Sequence, residues 1–264
     1  MRIATYNFCR GGTDFNAPYR ILQILQPDIL FAQEVLPPSV YEEKAVQTWE
    51  DAGYAYPIWK GTPSHGKWGS AIFFKERPFR KIEDFDTLTG WMIGIELDAS
   101  DPLNHTQQPL KLISVHTPTK ENNFYPYQAQ DMLVELRKHI YGTPTVMGGD
   151  FNVTISARNR TETPEVLPVE EEIMRFMRRT LGLVNCWQVA NPNTILPRTF
   201  HGTATSNSHI DGIFVSSDFY KNIENCWIVG SQRGQWTEGD HYPVIAEFSN
   251  QDVEFKKQNI RTPR

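Results

Sequence analysis

Short apolar runs alternate with polar turns along most of the chain, and several runs end in side chains that can do chemistry. The run at 144–147 enters Gly148 and Gly149 and is followed at once by Asp150 and Asn152. Glycines at a strand end allow backbone angles closed to other residues, so we expect a sharp turn that aims Asp150 and Asn152 into a cleft. The alternative is a tight turn in which both side chains bond their own backbone.

The hydrophobic periodicity predicts an α/β protein. Strands joined by both helical and hairpin connections favour sheets that pack together and are covered by helices. The mixed charges at 165–179 are most simply a solvated helix face. Helices are predicted at 17–26, 40–51, 124–140 and 170–181. Strands are predicted at 3–6, 28–32, 54–59, 70–75, 91–97, 110–115, 144–147, 209–215, 223–229 and 242–248.

Length and composition restrict the class further. The 264 residues are 39% hydrophobic and 22% charged, as in folded globular chains. We expect one catalytic domain at 1–249, followed by a loose polar tail at 250–264. No apolar run approaches the roughly 20 residues of a membrane span, and the first residues have the pattern of a strand rather than of a signal peptide. We therefore expect a cytoplasmic protein, and we expect a monomer.

Charge, cysteine content and a missing motif argue against three other classes. The net charge of -5 argues against a protein that coats nucleic acid, but it is compatible with a nuclease that has a local basic patch. Cys9, Cys186 and Cys226 lack metal-ligand spacing, which predicts reduced thiols that lie mostly in the core. The sequence has no glycine-rich phosphate loop with its lysine, which disfavours a P-loop nucleotide triphosphatase.

Six strand ends carry polar side chains of the kinds that hydrolyse phosphate esters. Each has a plain alternative as a turn, a cap or a structural histidine. Together they supply a carboxylate for a hard divalent cation, a base for water and hydrogen-bond donors for the phosphoryl oxygens. The stretches are Tyr6-Asn7, Gln33-Glu34, Val115-His116, Gly149-Asp150-Phe151-Asn152, Ser208-His209-Ile210-Asp211 and Gly239-Asp240-His241.

The residue types suggest separate roles within this set. Glu34 is the leading metal ligand, and Asp150 fits the base. His241 and Asp211 form a natural pair, because a buried carboxylate holds a histidine in one tautomer and keeps it readily protonated. The neutral hydrogen-bond donors are Asn7 and Asn152.

The ordered motifs resemble the endonuclease/exonuclease/phosphatase superfamily, the deoxyribonuclease-like metal-dependent phosphoesterases. They stand in that family's order from Tyr6 to about Phe248 as ATYN, FAQEV, SVHTP, GGDFN, SHIDGIFVS and EGDHYPV. The resemblance implies a four-layered α/β-β/α sandwich, with two packed mixed sheets flanked by helices and the site at one edge of the sheets. It also implies Mg²⁺ or Mn²⁺ at Glu34, with Asp240 or Asn7 contributing near the metal.

The resemblance assigns further roles to the polar strand ends. It implies that Asp150 activates or orients the water and that Asn7 and Asn152 hold the phosphate environment. It further implies that Asp211 orients His241.

Other positions separate this chain from individual branches of the superfamily. Cys9 stands where abasic-site endonucleases usually carry an acidic or amide residue, and His116 stands where they usually carry tyrosine, which disfavours repair of abasic DNA. His116 matches the second histidine of the deoxyribonuclease and sphingomyelinase branches, which acts on the leaving-group side. The deoxyribonuclease branch supports that histidine with a glutamate that residues 64–69 lack, so the partner of His116 stays open. The stretch RTFHG at 198–202 is similar to one found in bacterial members.

Basic and aromatic residues near the motif ends are candidates for substrate contacts, because rings can stack on bases and cations can hold phosphates. The alternative is that the tryptophans pack the sheet rims and that the charges are solvated. Arg158 and Arg160 lead because they follow Asp150 closely. The other candidates are Lys67, Trp68, Trp91, Lys120, Asn122, His201 and Trp236.

Three functions are compatible with these residues. The favoured one is a divalent-metal-dependent phosphodiesterase on nucleic acid, a nuclease on DNA or RNA. The second keeps the chemistry but acts on a small phosphorylated metabolite, a phosphoinositide or a lipid head group, which the pI of about 5.8 favours. The third is a pseudoenzyme that binds phosphate-bearing partners without turnover, which the complete set of site residues disfavours.

Overall fold

The computed structural model contains two six-stranded sheets with helices packed against them. It describes residues 1–14, 16–41, 47, 49–55, 57–63, 67–75, 77–82, 85, 89–104, 106, 108–118, 125–155, 168–194, 196–201, 209–217, 219–230 and 236–249. The strands are β1 Arg2–Asn7, β2 Ile29–Val35, β3 Ile58–Gly61, β4 Gly69–Phe74, β5 Arg80–Ile82, β6 Met92–Leu97, β7 Leu110–His116, β8 Thr145–Asp150, β9 Leu183–Asn185, β10 Asp211–Ser216, β11 Ile223–Ile228 and β12 Val244–Phe248. The helices are α1 Ala17–Leu25, α2 Tyr125–Ile140, α3 Pro168–Arg179 and α4 Cys186–Ala190, with short 3-10 turns at Pro38–Val40 and Tyr220–Asn222.

Both sheets are mixed. The first has the strand order β11-β12-β1-β2-β4-β3, and the second has the order β5-β6-β7-β8-β10-β9. One central pair in each sheet is parallel, β1 with β2 and β7 with β8, and the other pairs are antiparallel. The predicted fold class, two packed mixed sheets flanked by helices, is confirmed.

The core consists of two apolar clusters. The first lies between the sheets, where Phe31 of the first sheet and Ile213 of the second belong to one buried group, and α1 packs its own apolar face into the same group. The second lies between the second sheet and the helices α2 and α3, with Leu133, Leu136 and Ile173 buried in it. Burial on both faces explains why several central strands are continuous apolar runs rather than alternating ones.

The element boundaries differ from the predicted ones mainly at short elements. The strand predicted at 54–59 begins only at Ile58, and Tyr54 forms an isolated bridge with Lys75. The strands β5 and β9 and the five-residue helix α4 were not predicted, since such short segments contain too few residues to show a period. The helix predicted at 40–51 lies partly, and the tail at 250–264 wholly, outside the described residues.

The structure also bears on the predicted burial of the cysteines and on the predicted lack of a membrane span. Cys186 and Cys226 are buried, as predicted, but Cys9 is exposed and lies in a turn, with a left-handed φ of 50°. No helix in the described part of the chain is both long enough and apolar enough to cross a membrane.

Candidate active site

The register of the strands brings five polar strand ends to one edge of the two sheets. Asn7 ends β1, and Glu34 lies near the end of its parallel neighbour β2. In the second sheet, His116 at the end of β7 pairs with Asp150 at the end of β8, and Asp211 at the start of β10 pairs with Asp150 from the other side. The carboxyl ends of parallel strands and the start of an antiparallel neighbour thus meet at the same place.

The two glycines before Asp150 allow close packing and do not form a turn. Neither Gly148 nor Gly149 has a positive φ, and both lie inside β8. A Cβ at Gly148 would lie 2.6 Å from Cδ2 of Phe31 in the opposite sheet, and a Cβ at Gly149 would lie 1.8 Å from the carbonyl oxygen of Val115. The predicted turn at the glycines is therefore wrong, and the left-handed residue is Asn152, with a φ of 48°.

Asp150 lies at the centre of the group and is 1% exposed. Its Oδ2 accepts a hydrogen bond from Nδ2 of Asn7 at 2.9 Å, which joins the two sheets at the site. The same oxygen lies 3.8 Å from Nε2 of His116 and 3.8 Å from Nε2 of His241. Its Oδ1 accepts the backbone N–H of Asn152 at 2.8 Å. The carboxylate is therefore surrounded by hydrogen-bond donors.

His241 and Asp211 form a buried pair, as their chemistry suggested. Nδ1 of His241 lies 2.9 Å from Oδ2 and 3.0 Å from Oδ1 of Asp211. Burial disfavours the imidazolium, but the negative charges of Asp211, Asp150 and Asp240 outweigh it and raise the pKa of His241 to about 10. Burial and the charge of Asp211 also raise the pKa of Asp150 to about 6, although the neighbouring histidines act in the opposite direction. At neutral pH the site therefore pairs a cationic histidine with a carboxylate that ionises only near neutrality.

Two residues to which the sequence assigned no role, Thr199 and Phe200, contact this pair and the backbone beside it. The Oγ1 of Thr199 accepts the backbone N–H groups of Ile210 and Asp211, each at 3.0 Å. Phe200 forms an isolated bridge with His241, and the centroids of their rings are 4.8 Å apart. These residues belong to the stretch RTFHG, and that similarity was the only signal for them in the sequence.

Glu34 reaches the site through a local distortion of β2. The pairing of β2 with β4 shifts register between Ala32 and Val35, and Glu34 has a left-handed φ of 55°. A bulge of this kind redirects a side chain at the cost of backbone strain. The carboxylate accepts the backbone N–H of Arg10 at 2.7 Å and lies 3.5 Å from Nδ2 of Asn7.

The oxygen donors of Glu34 and Asp240 fit a hard divalent cation. Oδ1 of Asp240 is buried and has no hydrogen-bond partner among the described residues, so it has an acceptor position to offer. The amide of Asn7 is arranged differently, since its Nδ2 faces the carboxylates and its Oδ1 accepts the backbone N–H of Cys9 at 2.9 Å. Asn7 therefore acts as a donor here.

A second group of possible ligands overlaps the histidine pair. One ligand atom from each of Asp150, Asp211 and His241 lies within 4.8 Å of the others. Within this group, Asp211 and Nδ1 of His241 are already hydrogen-bonded to each other.

His116 lies between carboxylates and tryptophans. Its Nε2 is 3.7 Å from Oε1 of Glu34, so a site carboxylate faces this histidine. The rings of Trp91 and Trp68 lie 5.2 and 5.7 Å from its ring, and its backbone N–H donates to the carbonyl oxygen of Trp91. Trp91 is only 6% exposed, so it packs behind His116 and offers little surface to a substrate.

The remaining candidates for substrate contacts include exposed residues, buried residues and residues that the structure does not describe. Lys67 is exposed, and Trp236 is buried with its Nε1 donating to the hydroxyl of Tyr6. Tyr125, at the start of α2, was missed: burial and the charges of Asp150 and Glu34 raise the pKa of its phenol, which places it near the site. Arg158, Arg160, Lys120 and Asn122 lie outside the described residues.

Comparison with known proteins identifies the family. The model of the Endonuclease/Exonuclease/phosphatase family matches residues 4–230. The chain therefore belongs to this family, whose members hydrolyse phosphoester bonds, and the resemblance inferred from the motifs is confirmed.

Three similar proteins share between 17% and 33% of their aligned residues with this chain. A 3′ phosphatase from Neisseria, bound to a product DNA hairpin, is 18% identical with a TM-score of 0.72, over 94% of this chain and 99% of that one. An AP endonuclease from Archaeoglobus fulgidus is 17% identical with a TM-score of 0.71, over 94% and 99% of the two chains. An uncharacterized 149 kDa protein of transposon TX1 from Xenopus laevis is 33% identical over 86 residues, which are 31% of this chain and 6% of the relative. The structural likenesses concern the fold.

Proposed function

We propose that this protein is a divalent-metal-dependent phosphodiesterase that cleaves nucleic acid. The observation that carries the proposal is the position of Asp150, whose Oδ2 lies 2.9 Å from Nδ2 of Asn7 and 3.8 Å from Nε2 of both His116 and His241. A single base surrounded by neutral and cationic donors suits a phosphoryl group attacked by water. A nucleic-acid substrate is supported by the DNA-bound phosphatase and the AP endonuclease of similar fold.

The cation would be Mg²⁺ or Mn²⁺, held by Glu34 and Asp240. Both metals prefer oxygen ligands, and the donor set offers carboxylate oxygens, one of which is buried and has no hydrogen-bond partner in the part of the chain that the structure describes. When bound, the cation neutralises the phosphate and stabilises the leaving oxygen.

The protein's own residues handle the proton and the phosphoryl oxygens. Asp150 takes a proton from the attacking water as the new P–O bond forms, and its pKa of about 6 leaves it ionised but basic at neutral pH. His241, cationic below about pH 10, donates from Nε2 to a phosphoryl oxygen, while Asp211 holds Nδ1. His116, whose Nε2 also lies 3.8 Å from Oδ2 of Asp150, acts on the leaving-group side, where the P–O bond to the leaving group breaks. Asn7 and Asn152 hold the Asp150 carboxylate in place.

The test is hydrolysis by the purified protein in Mg²⁺, Mn²⁺ or EDTA. The substrates are single- and double-stranded DNA, RNA, bis-p-nitrophenyl phosphate and inositol phosphates. Asp150→Asn is the inactive variant, and Asp131→Asn, an exposed aspartate on α2, is the matched control. We expect metal-dependent cleavage of polynucleotide that Asp150→Asn abolishes and Asp131→Asn keeps. Equal cleavage by both variants would refute the assignment of Asp150.

The same experiment addresses the alternative substrate class. Activity confined to small phosphate esters would make the protein a phosphatase or phosphodiesterase of metabolites or lipid head groups. The cytoplasmic location, the monomeric state and the single catalytic domain at 1–249 stay predictions.

A further inference from the structure

A cavity of about 470 Å³ lies on the outer face of the second sheet, between α3, β9, α4 and β10. It is separate from the candidate active site. Successive residues of a strand face opposite sides of the sheet, so Asp211 of the candidate site and its neighbour Gly212 lie on opposite faces of β10, and Gly212 is on the face of the cavity. Its floor is apolar and includes Ile155, Met177, Leu183 and Phe214. The volume falls within the range of small-molecule sites.

The rim of the cavity is strongly positive. Arg175, Arg178 and Arg179 of α3 line it, and among the described lining residues there is no aspartate or glutamate. None of these three arginines forms an ion pair with another described residue. The helix dipole accounts for Arg178 and Arg179 in the last turn of α3, but not for Arg175 one turn earlier. Three like charges within two turns repel one another, although the whole chain carries a net charge of -5.

Asn185 also lines the cavity and carries a side-chain amide nitrogen without a hydrogen-bond partner among the described residues. This residue is 4% exposed, and its Oδ1 caps α4 by accepting the backbone N–H of Gln188 at 3.0 Å. Its Nδ2 is buried and has no hydrogen-bond partner among the described residues, which is unfavourable for a polar group. A Cβ at Gly212 would lie 3.3 Å from this nitrogen and 2.4 Å from Cδ1 of Ile155, so the glycine keeps the space beside it open.

We propose that this cavity is a second, non-catalytic site that binds a nucleotide through its phosphate. Guanidinium groups and an unpaired amide offer hydrogen-bond donors to an anion, and guanidinium geometry suits phosphate in particular. The apolar floor suits the flat face of a base. The choice of a nucleotide as the ligand rests on the proposed function, because a nuclease binds nucleotides both as part of its substrate strand and as its product.

The experiment measures binding without catalysis. Full-length Asp150→Asn protein in EDTA is titrated with inorganic phosphate, with dTMP and with a twelve-residue thymidine oligonucleotide, while the side-chain amide resonance of Asn185 is followed by NMR. In the same background, Arg175, Arg178 and Arg179 are changed together to glutamine. The charge-matched control changes Lys60, Arg137 and Lys138, which are exposed residues of β3 and α2. A further variant, Asn185→Asp, keeps the cap on α4 but places a carboxylate where the anion would bind.

We expect saturable binding of at least one nucleotide ligand that shifts the Asn185 resonance. The triple arginine variant and Asn185→Asp should each bind about tenfold or more weakly, as expected for the loss of hydrogen bonds to a charged group. The charge-matched control should keep the affinity. Binding of dTMP would identify a free nucleotide as sufficient, and binding of the oligonucleotide alone would make the cavity part of the strand path. No shift of the Asn185 resonance, or equal weakening by the control, would overturn the proposal. Cleavage by the unchanged enzyme would still report separately on the proposed function.

Discussion

Replacing Asp150 by asparagine should affect catalysis and stability in opposite directions. The change removes the proposed base, so phosphodiester cleavage should fall by at least about 10²-fold. It also removes a negative charge that the folded protein holds at 1% exposure, beside the charge of Asp211. The metal-free variant should therefore be inactive and yet more stable than the unchanged protein at alkaline pH.

The size of this stabilisation follows from the pKa of Asp150, which rises from 3.8 to about 6 on folding. A carboxyl group with a raised pKa favours folding below its ordinary pKa, and this contribution is lost as the pH rises through the folded value. The difference corresponds to about 3 kcal/mol, of which about 2 kcal/mol develops between pH 4.5 and pH 8. Asparagine has one acceptor oxygen in place of two, so the variant loses a hydrogen bond from Asn7 or Asn152, at a cost of about 1 kcal/mol at any pH.

Urea unfolding in EDTA, followed by tryptophan fluorescence, measures the net change in the free energy of unfolding. We expect Asp150→Asn to raise the free energy of unfolding by about 2 kcal/mol at pH 8 and to leave it nearly unchanged at pH 4.5. Asp131→Asn, a change of the same charge on the surface of α2, should show little difference between the two pH values. A stability difference for Asp150→Asn that does not change with pH, or one that is larger at pH 4.5, would refute the reasoning from burial.

Other substitutions test other parts of the structure. Thr199→Val leaves two backbone N–H groups at the start of β10 without an acceptor, so the turnover number should fall about tenfold, and Thr199→Ser should restore it in steady-state assays. Gly149→Ala places a Cβ 1.8 Å from a carbonyl oxygen of β7 and should cost more than about 3 kcal/mol in urea unfolding, whereas Gly142→Ala, with no atom within 4 Å, should cost only about 1 kcal/mol. Glu34→Gln should weaken Mn²⁺ binding about tenfold or more by calorimetry, and the exposed change Glu172→Gln should not.

Much of the site could be anticipated because its chemistry lies at strand ends. The apolar pattern showed that predicted strands end in Asn7, Glu34, His116 and Asp150. The expectation that these side chains converge came from the resemblance to the family. The pairing of His241 with an aspartate could likewise be expected from chemistry alone, because a buried histidine cation needs a counter-charge.

Features that depend on approach between distant segments could not be anticipated. Gly148 and Gly149 seemed suited to a turn, but their necessity comes from Phe31 and Val115, which approach from another sheet and another strand. Nothing in the sequence indicates that the Thr199 hydroxyl bonds the amides at the start of β10. Short elements such as β9 form because they pair with neighbouring strands, and they contain too few residues to show a periodic pattern. The cavity that β9 borders could therefore not be predicted from the sequence.

The candidate site concentrates features that oppose folding. Glu34 and Asn152 hold left-handed backbone angles that ordinary residues avoid, each at a cost of about 1 kcal/mol or more. Asp150 and Asp211 bury two carboxyl groups close together, and the charges of His241 and His116 offset this burial in part. These costs persist because the surrounding sheets are tightly packed, with central strands buried on both faces. Since none of these features improves packing, their concentration at one sheet edge is best explained by chemistry at that edge rather than by the needs of the fold.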